Sequence, residues 1–390
     1  MAGLLQLIRP QGLCPSLFRK PVQGKPNMSP ASLDCHIGTS PIVIRHDSNN
    51  DDDSIISGSL ILEVTEDSIE VESLYALIRV HTVNKKPFKK GCEGCKHHFT
   101  KLKRCEIITT SITLNEGSYT YNLSYRVPSY LPPSMDTPIV SVTYEFEALA
   151  SVRRARRLST MSHTITLHRA LPVVRSIPIS NTQTYSNRIY QTTGIEVACV
   201  FDAVMNPKSK NRATLTMSGL RSSPGNGEEV HLWRVCSGSW ILEETIKSTT
   251  SACPAHCRQN KGDSAQERKK RTILGDSTFY NGWTTDDNAG TLSMDFHFSR
   301  RQSLNHYTQD TGDVGDTSAS HALVLEIQMM KEIYPKGSPD LVTRTGVGRI
   351  LRSEHRVVLS DYTTLSRQTV GESLPLYQDV CTGPPVYEEL

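Results

Sequence analysis

Tyr119-Thr120-Tyr121-Asn122-Leu123-Ser124-Tyr125-Arg126-Val127 alternates a large apolar or aromatic side chain with a polar one at every step. Successive side chains of a strand point to opposite faces. The spacing therefore puts Tyr119, Tyr121, Leu123, Tyr125 and Val127 on one face and the polar residues on the other. After a proline-bearing bend the pattern resumes, with Val140, Val142, Tyr144, Phe146 and Ala148 opposite Ser141, Thr143, Glu145 and Glu147. Leu292, Met294, Phe296 and Phe298 repeat it, as do Leu323, Leu325, Ile327 and Met329. Such alternation predicts antiparallel strands with one buried and one wet face. No stretch carries a 3.6-residue apolar stripe over three turns. Turn signals such as Asn115-Glu-Gly, Pro132-Pro133 and Ser223-Pro-Gly-Asn-Gly punctuate the strands. The reading is all-β, built as sandwiches.

The predicted strands fall into two blocks along the 390 residues. Residues 1–38, rich in Pro, Ser and Gly, read as a disordered leader. A first sandwich is predicted over 39–172 and a second over 173–360, joined at Leu171-Pro172-Val173-Val174. The polar, highly charged stretch 253–275 reads as a loop inserted in the second block, and 361–390 as a tail without strand alternation. No run approaches the eighteen apolar residues of a membrane-spanning helix. The opening Met1–Ile8 is too short for a signal-peptide core and ends at Arg9 and Pro10, so a cytosolic product is expected. Its ten cysteines are then expected as reduced thiols, with Cys105, Cys199 and Cys236 as small buried hydrophobes.

The formal charge of +3 hides segregation. Residues 81–105 carry eight lysines and arginines against the single acid Glu93. Two further basic runs are Arg153-Arg154-Ala155-Arg156-Arg157 and Arg268-Lys269-Lys270-Arg271. Charge runs are commonly solvated faces, but Arg153, Arg154, Arg156, Arg157, Lys269 and Lys270 are candidates for contact with an anionic membrane surface or phosphate. Arg156-Arg157-Leu158-Ser159 also matches the substrate pattern of basophilic kinases, making Ser159 a phosphorylation candidate. Nucleic acid is not an expected partner, because residues 81–105 interleave only Phe88 and Phe99 with their charges.

Cys92-Glu-Gly-Cys95 has the spacing of a zinc knuckle, with His97, His98 and Cys105 nearby. A second pair, Cys253 with His256 or Cys257, would complete four ligands, provided it arrives from the other sandwich. The same spacing also suits two ordinary thiols in a lysine-rich hairpin. No cofactor is expected beyond that possible structural zinc. No phosphate-cradling Gly-rich loop, nucleophile elbow or HExxH occurs, so the chain does not read as an enzyme.

Pro384-Pro385-Val386-Tyr387 pre-sets a polyproline II segment with little ordering entropy left to lose on binding. A tyrosine two places after the second proline suits the groove and neighbouring pocket of a WW domain. Leu374-Pro375-Leu376-Tyr377 repeats the pattern more weakly, so Pro375 and Tyr377 join Pro384, Pro385 and Tyr387 as candidate WW-binding residues.

Two consecutive β-sandwiches followed by tyrosine-proline motifs resemble the plan of the α-arrestins. Ser57-Gly-Ser-Leu-Ile-Leu-Glu-Val and Ile69-Glu-Val-Glu-Ser-Leu-Tyr-Ala-Leu-Ile-Arg-Val-His resemble the opening strands of their N-terminal sandwich. Tyr121 to Asp136, then Val140-Ser-Val-Thr-Tyr-Glu-Phe-Glu-Ala, looks like their strand–bend–strand stretch. Leu232-Trp233-Arg234 through Trp240-Ile-Leu-Glu-Glu, with Ser251-Ala-Cys-Pro-Ala-His, is similar to the fungal low-dye-binding branch of arrestin-related trafficking adaptors. The resemblance implies two arrestin-like, immunoglobulin-type sandwiches. It also implies an adaptor that recruits a HECT-class ubiquitin ligase through its WW domains to integral membrane transporters or receptors, promoting ubiquitination, endocytosis and sorting. Such an adaptor is cytoplasmic and peripherally recruited to plasma membrane, Golgi or endosomes. The alternative is an arrestin-like signalling or vesicle-sorting scaffold that does not use the ligase.

Overall fold

The computed structural model describes residues 29–45, 54–154, 162–179, 183–225, 227–257, 265–304, 307–311 and 316–365. They are organised almost entirely as strands. The first half holds β1 (Ala31–Ile37), β2 (Ile42–Arg45), β3 (Ser54–Asn84), β4 (His97–Ile108) and β5 (Ile112–Val127). β6 (Met135–Asp136), β7 (Val140–Arg154) and β8 (His163–Leu171) complete it, and the single-turn helix α1 (Glu93–Lys96) lies between β3 and β4. β9 (Val173–Ile179) leads into β10 (Gln183–Tyr190), β11 (Ile195–Asp202), β12 (Asn211–Ser218), β13 (Arg221–Ser222) and β14 (Glu229–Ser251). Helix α2 (Pro254–Cys257) precedes β15 (Ala265–Phe279), β16 (Trp283–Asp286), β17 (Thr291–Phe298), β18 (Thr317–Pro335), β19 (Thr343–Val357) and β20 (Thr363–Leu365).

The first sandwich is built around β3. Its early part, Ser54–Val64, lies between β1 and β5, and its later part, Leu74–Asn84, lies between β4 and β7. Register shifts between Val64 and Ser68 and between Val71 and Ser73 fall where the strand passes from one set of partners to the other. Bulges bend a strand in this way without ending it. The strict period of β7 buries Val140, Val142, Tyr144, Phe146, Ala148 and Ala150 against Leu60, Leu62, Ile69 and Leu74 of β3. Each such large side chain contributes about 1.5–3 kcal/mol of burial. The Tyr144 hydroxyl donates to the Pro132 carbonyl at 2.5 Å, fixing the proline bend onto the strand that returns from it.

In the second half, the sheet β10-β11-β12-β17-β16 faces the sheet β13-β14-β18-β19, with β15 paired to β14. Phe201, Leu215, Met294 and Phe298 from one sheet meet Leu232, Trp240, Leu323 and Leu325 from the other in a second core. Trp240 and Phe298 pack edge to face with centroids 6.1 Å apart. Between the cores runs β9, paired in parallel with β2 along Val173–Ser176 and with β20 along Ile177–Ile179.

Four expectations need correction. Thr363–Leu365, placed in the strandless tail, form β20, because their backbone pairs in parallel with β9. Residues 31–37, placed in the leader by composition, form β1, because Ala31 and Cys35 alternate into the first core and the backbone pairs with β3. Residues 265–275, read as part of a loop, belong to β15, whose backbone pairs with β14 from Ser251↔Ala265 onward. Its charged side chains gave no alternation because most of that stretch is exposed on both faces. Cys199 is buried, but Cys105 is only half-buried and Cys236 is exposed.

Candidate functional site

The two sandwiches meet where the ends of two hairpins come together. One is the β3–β4 connection, carrying α1, and the other is the β14–β15 connection, carrying α2. Each presents a cysteine followed by one helical turn. The Cys95 and Lys96 N–H groups donate to the Cys92 carbonyl at 3.2 and 3.0 Å. The His256 and Cys257 N–H groups donate to the Cys253 carbonyl at 2.8 and 2.9 Å. The turns aim Cys92, Cys95, Cys253 and His256 at one point, with all four ligand-capable atoms within 4.8 Å of one another. Cys92 Sγ lies 3.7 Å from Cys253 Sγ, and His256 Nδ1 lies 3.6 Å from Cys95 Sγ and 3.2 Å from Cys253 Sγ. Gly94 lies in this turn close to the other pair: a Cβ there would stand 3.4 Å from the Cys253 Cβ, at ordinary contact distance.

Electrostatics differ among the thiols. The hydrogen bond to His256 draws the Cys253 thiol down to about 6, whereas burial pushes the Cys95 thiol up. The neighbouring histidines are otherwise engaged. His97 pairs with Glu93 at 3.1 Å and with His81 at 2.9 Å, and His98 Nε2 lies 3.3 Å from the Cys95 carbonyl oxygen. The buried Asn84 amide also donates to that carbonyl at 3.3 Å. Cys257, the alternative fourth ligand, is exposed and stands outside the group. Spacing pointed to Cys92, Cys95 and Cys253 with either His256 or Cys257, and the fold brings the first three together with His256.

The basic candidates are placed differently from one another. Arg153 and Arg154 are the last residues of β7 rather than loop residues, and both are ion-paired. Arg153 bonds Glu72 and lies 3.5 Å from Glu70, and Arg154 reaches Glu66 at 2.8 Å. Hydrogen bonds from Ser151, Ser162 and Arg153 hold the Glu72 carboxyl below its ordinary range. These two arginines are thus offset by acids that the alternation of β3 places opposite them. Lys269 and Lys270 are exposed on β15, and Lys269 faces Lys247 directly across the ladder. Arg156, Arg157 and Ser159, and the motif residues Pro375, Tyr377, Pro384, Pro385 and Tyr387, lie outside the described residues.

A buried polar seam beside the junction escaped the sequence reading. Glu244 accepts from the Thr308 N–H at 2.7 Å and lies 3.4 Å from His321 Nε2, while His321 Nδ1 lies 3.5 Å from Asp310. Arg175 of β9 donates to the Thr311 carbonyl at 3.3 Å, and its N–H to Gln309 Oε1 at 2.8 Å. Burial opposes the charged imidazole, but hydrogen bonds to Asp310 and Glu244 overcome it and raise His321 above its ordinary value. A signal was present: His321 occupies a buried register position in the run Ala319, His321, Leu323, Leu325.

The family described as LDB19, arrestin N-terminal like, matches residues 74–260, a span that holds all four junction residues. Over that span, just under half of its length, the chain is similar to an arrestin-like family. Protein LDB19 of Saccharomyces cerevisiae is 29% identical to this arrestin-like chain over 182 residues, 42% of the chain and 21% of that protein. Protein LDB19 of Eremothecium gossypii is 22% identical over 236 residues, covering 57% of the chain and 33% of that protein. An uncharacterized protein of Schizosaccharomyces pombe is 22% identical over 382 residues, 96% of the chain and 94% of its own length. The arrestin-like chain thus spans a minor part of either LDB19 protein and nearly all of the third relative.

Proposed function

We propose that this arrestin-like chain is a trafficking adaptor, joining integral membrane cargo to a WW-domain ubiquitin ligase of the HECT class. The observation that carries the reading is Pro384-Pro385-Val386-Tyr387, a WW-docking sequence on a chain whose body is an arrestin-like pair of sandwiches. In this reading the body holds a transporter or receptor at its cytoplasmic side, and the motif brings the ligase within reach of it. The role is one of binding and positioning rather than chemistry. Ubiquitination, endocytosis and sorting of the cargo are the outcome, with the adaptor moving between cytoplasm and membrane surface.

The test is calorimetry of WW domains against the full chain and its tyrosine variants. A buried aromatic anchor typically costs about 2 kcal/mol or more when truncated to alanine. Tyr387→Ala should therefore lower affinity at least about 30-fold. Tyr377→Ala should do less, because Leu374 stands where the first proline of the motif belongs. Equal affinity of wild type and Tyr387→Ala would leave an arrestin-like scaffold that does not use the ligase.

A further inference from the structure

We propose that Cys92, Cys95, Cys253 and His256 bind a zinc ion that clips the two sandwiches together. The inference stands on the junction geometry and is independent of the adaptor reading. A tetrahedral site with Zn–S of about 2.3 Å and Zn–N of about 2.0–2.1 Å requires edges of about 3.8 Å between sulfurs and about 3.6 Å between sulfur and nitrogen. The edges here are 3.7 Å for Cys92 to Cys253 and 3.6 and 3.2 Å from His256 Nδ1 to Cys95 and Cys253. The competing bond, a disulfide, needs its sulfurs at about 2.05 Å, far inside the separation of Cys92 and Cys253. Three thiolates and a neutral imidazole match zinc's preference for sulfur and nitrogen donors.

The surroundings fit a structural ion. Four protein ligands fill the tetrahedron and leave no open position for substrate or water. Three thiolates around a divalent cation carry one net negative charge. The basic residues of 81–105, which outnumber the acids of that stretch, add positive field near it, although Lys85 is paired with Asp136 at 2.6 Å. Cys95 and Cys253 are buried, which shields the metal–sulfur bonds from water.

The consequence is mechanical. Cys92 and Cys253 are 161 residues apart in sequence, and each pair belongs to a different sandwich. Interfaces between domains within one chain ordinarily permit relative motion. A metal held by two ligands from each side removes that freedom at this edge. The zinc acts as a bracket, fixing how the two sandwiches face a common partner.

The experiment uses the full chain, purified under reducing conditions, supplied with zinc, dialysed, and assayed for metal by elemental analysis. The expected content is about one zinc per chain, falling at least tenfold in Cys92→Ser, Cys253→Ser and His256→Ala. Cys257→Ser, which alters the exposed neighbour, should retain the metal. Because a ligand variant can fail to fold, cobalt is titrated into the wild-type chain as a second readout. Saturation at one equivalent, with tetrahedral ligand-field bands and thiolate-to-cobalt charge transfer, is the expected result. Wild type that takes up neither metal, or a Cys92–Cys253 disulfide in the reduced preparation, overturns the proposal. So does zinc that survives joint replacement of Cys92 and His256.

Discussion

His355 and His321 are both fully enclosed imidazoles, and their surroundings drive them in opposite directions. Burial, reinforced by Arg188, lowers His355 to about 4, and its ring nitrogens meet only the hydroxyls of Ser186 and Ser353, each at 2.9 Å. His321 lies between Glu244 and Asp310 and is raised. The signs follow from which state binds the proton more tightly. His355 stays neutral in the fold, so its contribution is present above its unfolded pKa of about 6.5 and is lost as pH falls towards about 4. His321 holds its proton in the fold, so its contribution is complete below about 6.5 and is lost as pH rises through its raised folded value. Carboxylates lose their native interactions at lower pH, so His355 dominates the acid side of neutrality. Denaturant unfolding should show stability falling between about pH 6.5 and about pH 5, by at most about 1.4 kcal/mol per unit. His355→Gln should flatten that slope, and an unchanged slope in the variant would assign it to other groups.

At the level of elements, β1 is held to β3 by a ladder that needs glycine at one rung. A Cβ on Gly58 would run into the His36 carbonyl oxygen and stand 3.2 Å from the Ile37 Cα, so the partner backbone has to move. Gly58→Ala should cost about 1–3 kcal/mol as an overpacked contact. It should also make residues 31–37 more open to limited proteolysis, since this pairing anchors them together with the burial of Ala31 and Cys35 and the bond from Arg169 to the Cys35 carbonyl. Protease resistance equal to wild type would mean that β1 is held by something else. The same strands explain what could be read beforehand. β7 was legible because every second residue from Val140 to Val152 is buried, giving the period nothing to interrupt it. β15 was not, because a strand wet on both faces has no apolar register, and its pairing to β14 leaves no trace in composition. β1 was masked by the Pro- and Ser-rich residues before it. At the junction, the turn-forming spacing of Cys92 to Cys95 and Cys253 to His256 was visible. Their meeting depends on the packing of two separate sandwiches, which no local pattern encodes. Glu244, like His321, stands at a buried register position, between Leu242 and Ile246, whereas Asp310 lies in a loop and gave no local signal until tertiary packing buried it.

For the whole molecule, the question is which charges remain available to a partner once the fold has paired the rest. Arg153 and Arg154 are engaged by Glu66, Glu70 and Glu72, so their run contributes less external field than its sequence implies. Along β14 and β15 the outcome is the reverse. Lys247 and Lys269 stand directly opposite each other on one face, an arrangement of like charges that costs stability, while Lys270 is exposed on the other face beside Ile246. No ion pair to any of these three lysines forms among the described residues. An adaptor that meets its cargo at a membrane gains from such a strip, because each basic residue near an anionic surface contributes about 1 kcal/mol. Joint replacement Lys247→Gln and Lys269→Gln should thus weaken binding to vesicles containing phosphatidylserine by about 30-fold. Raising the salt should weaken wild type steeply, since exposed charges are screened beyond about 10 Å at 0.1 M ionic strength. Arg153→Gln should change vesicle binding little, because it removes a cation already matched by acids. Vesicle sedimentation of the three proteins across a salt series decides the point. Salt-independent binding, or equal losses in both variants, would mean that β15 is an ordinary solvated edge and that the membrane is found through other residues.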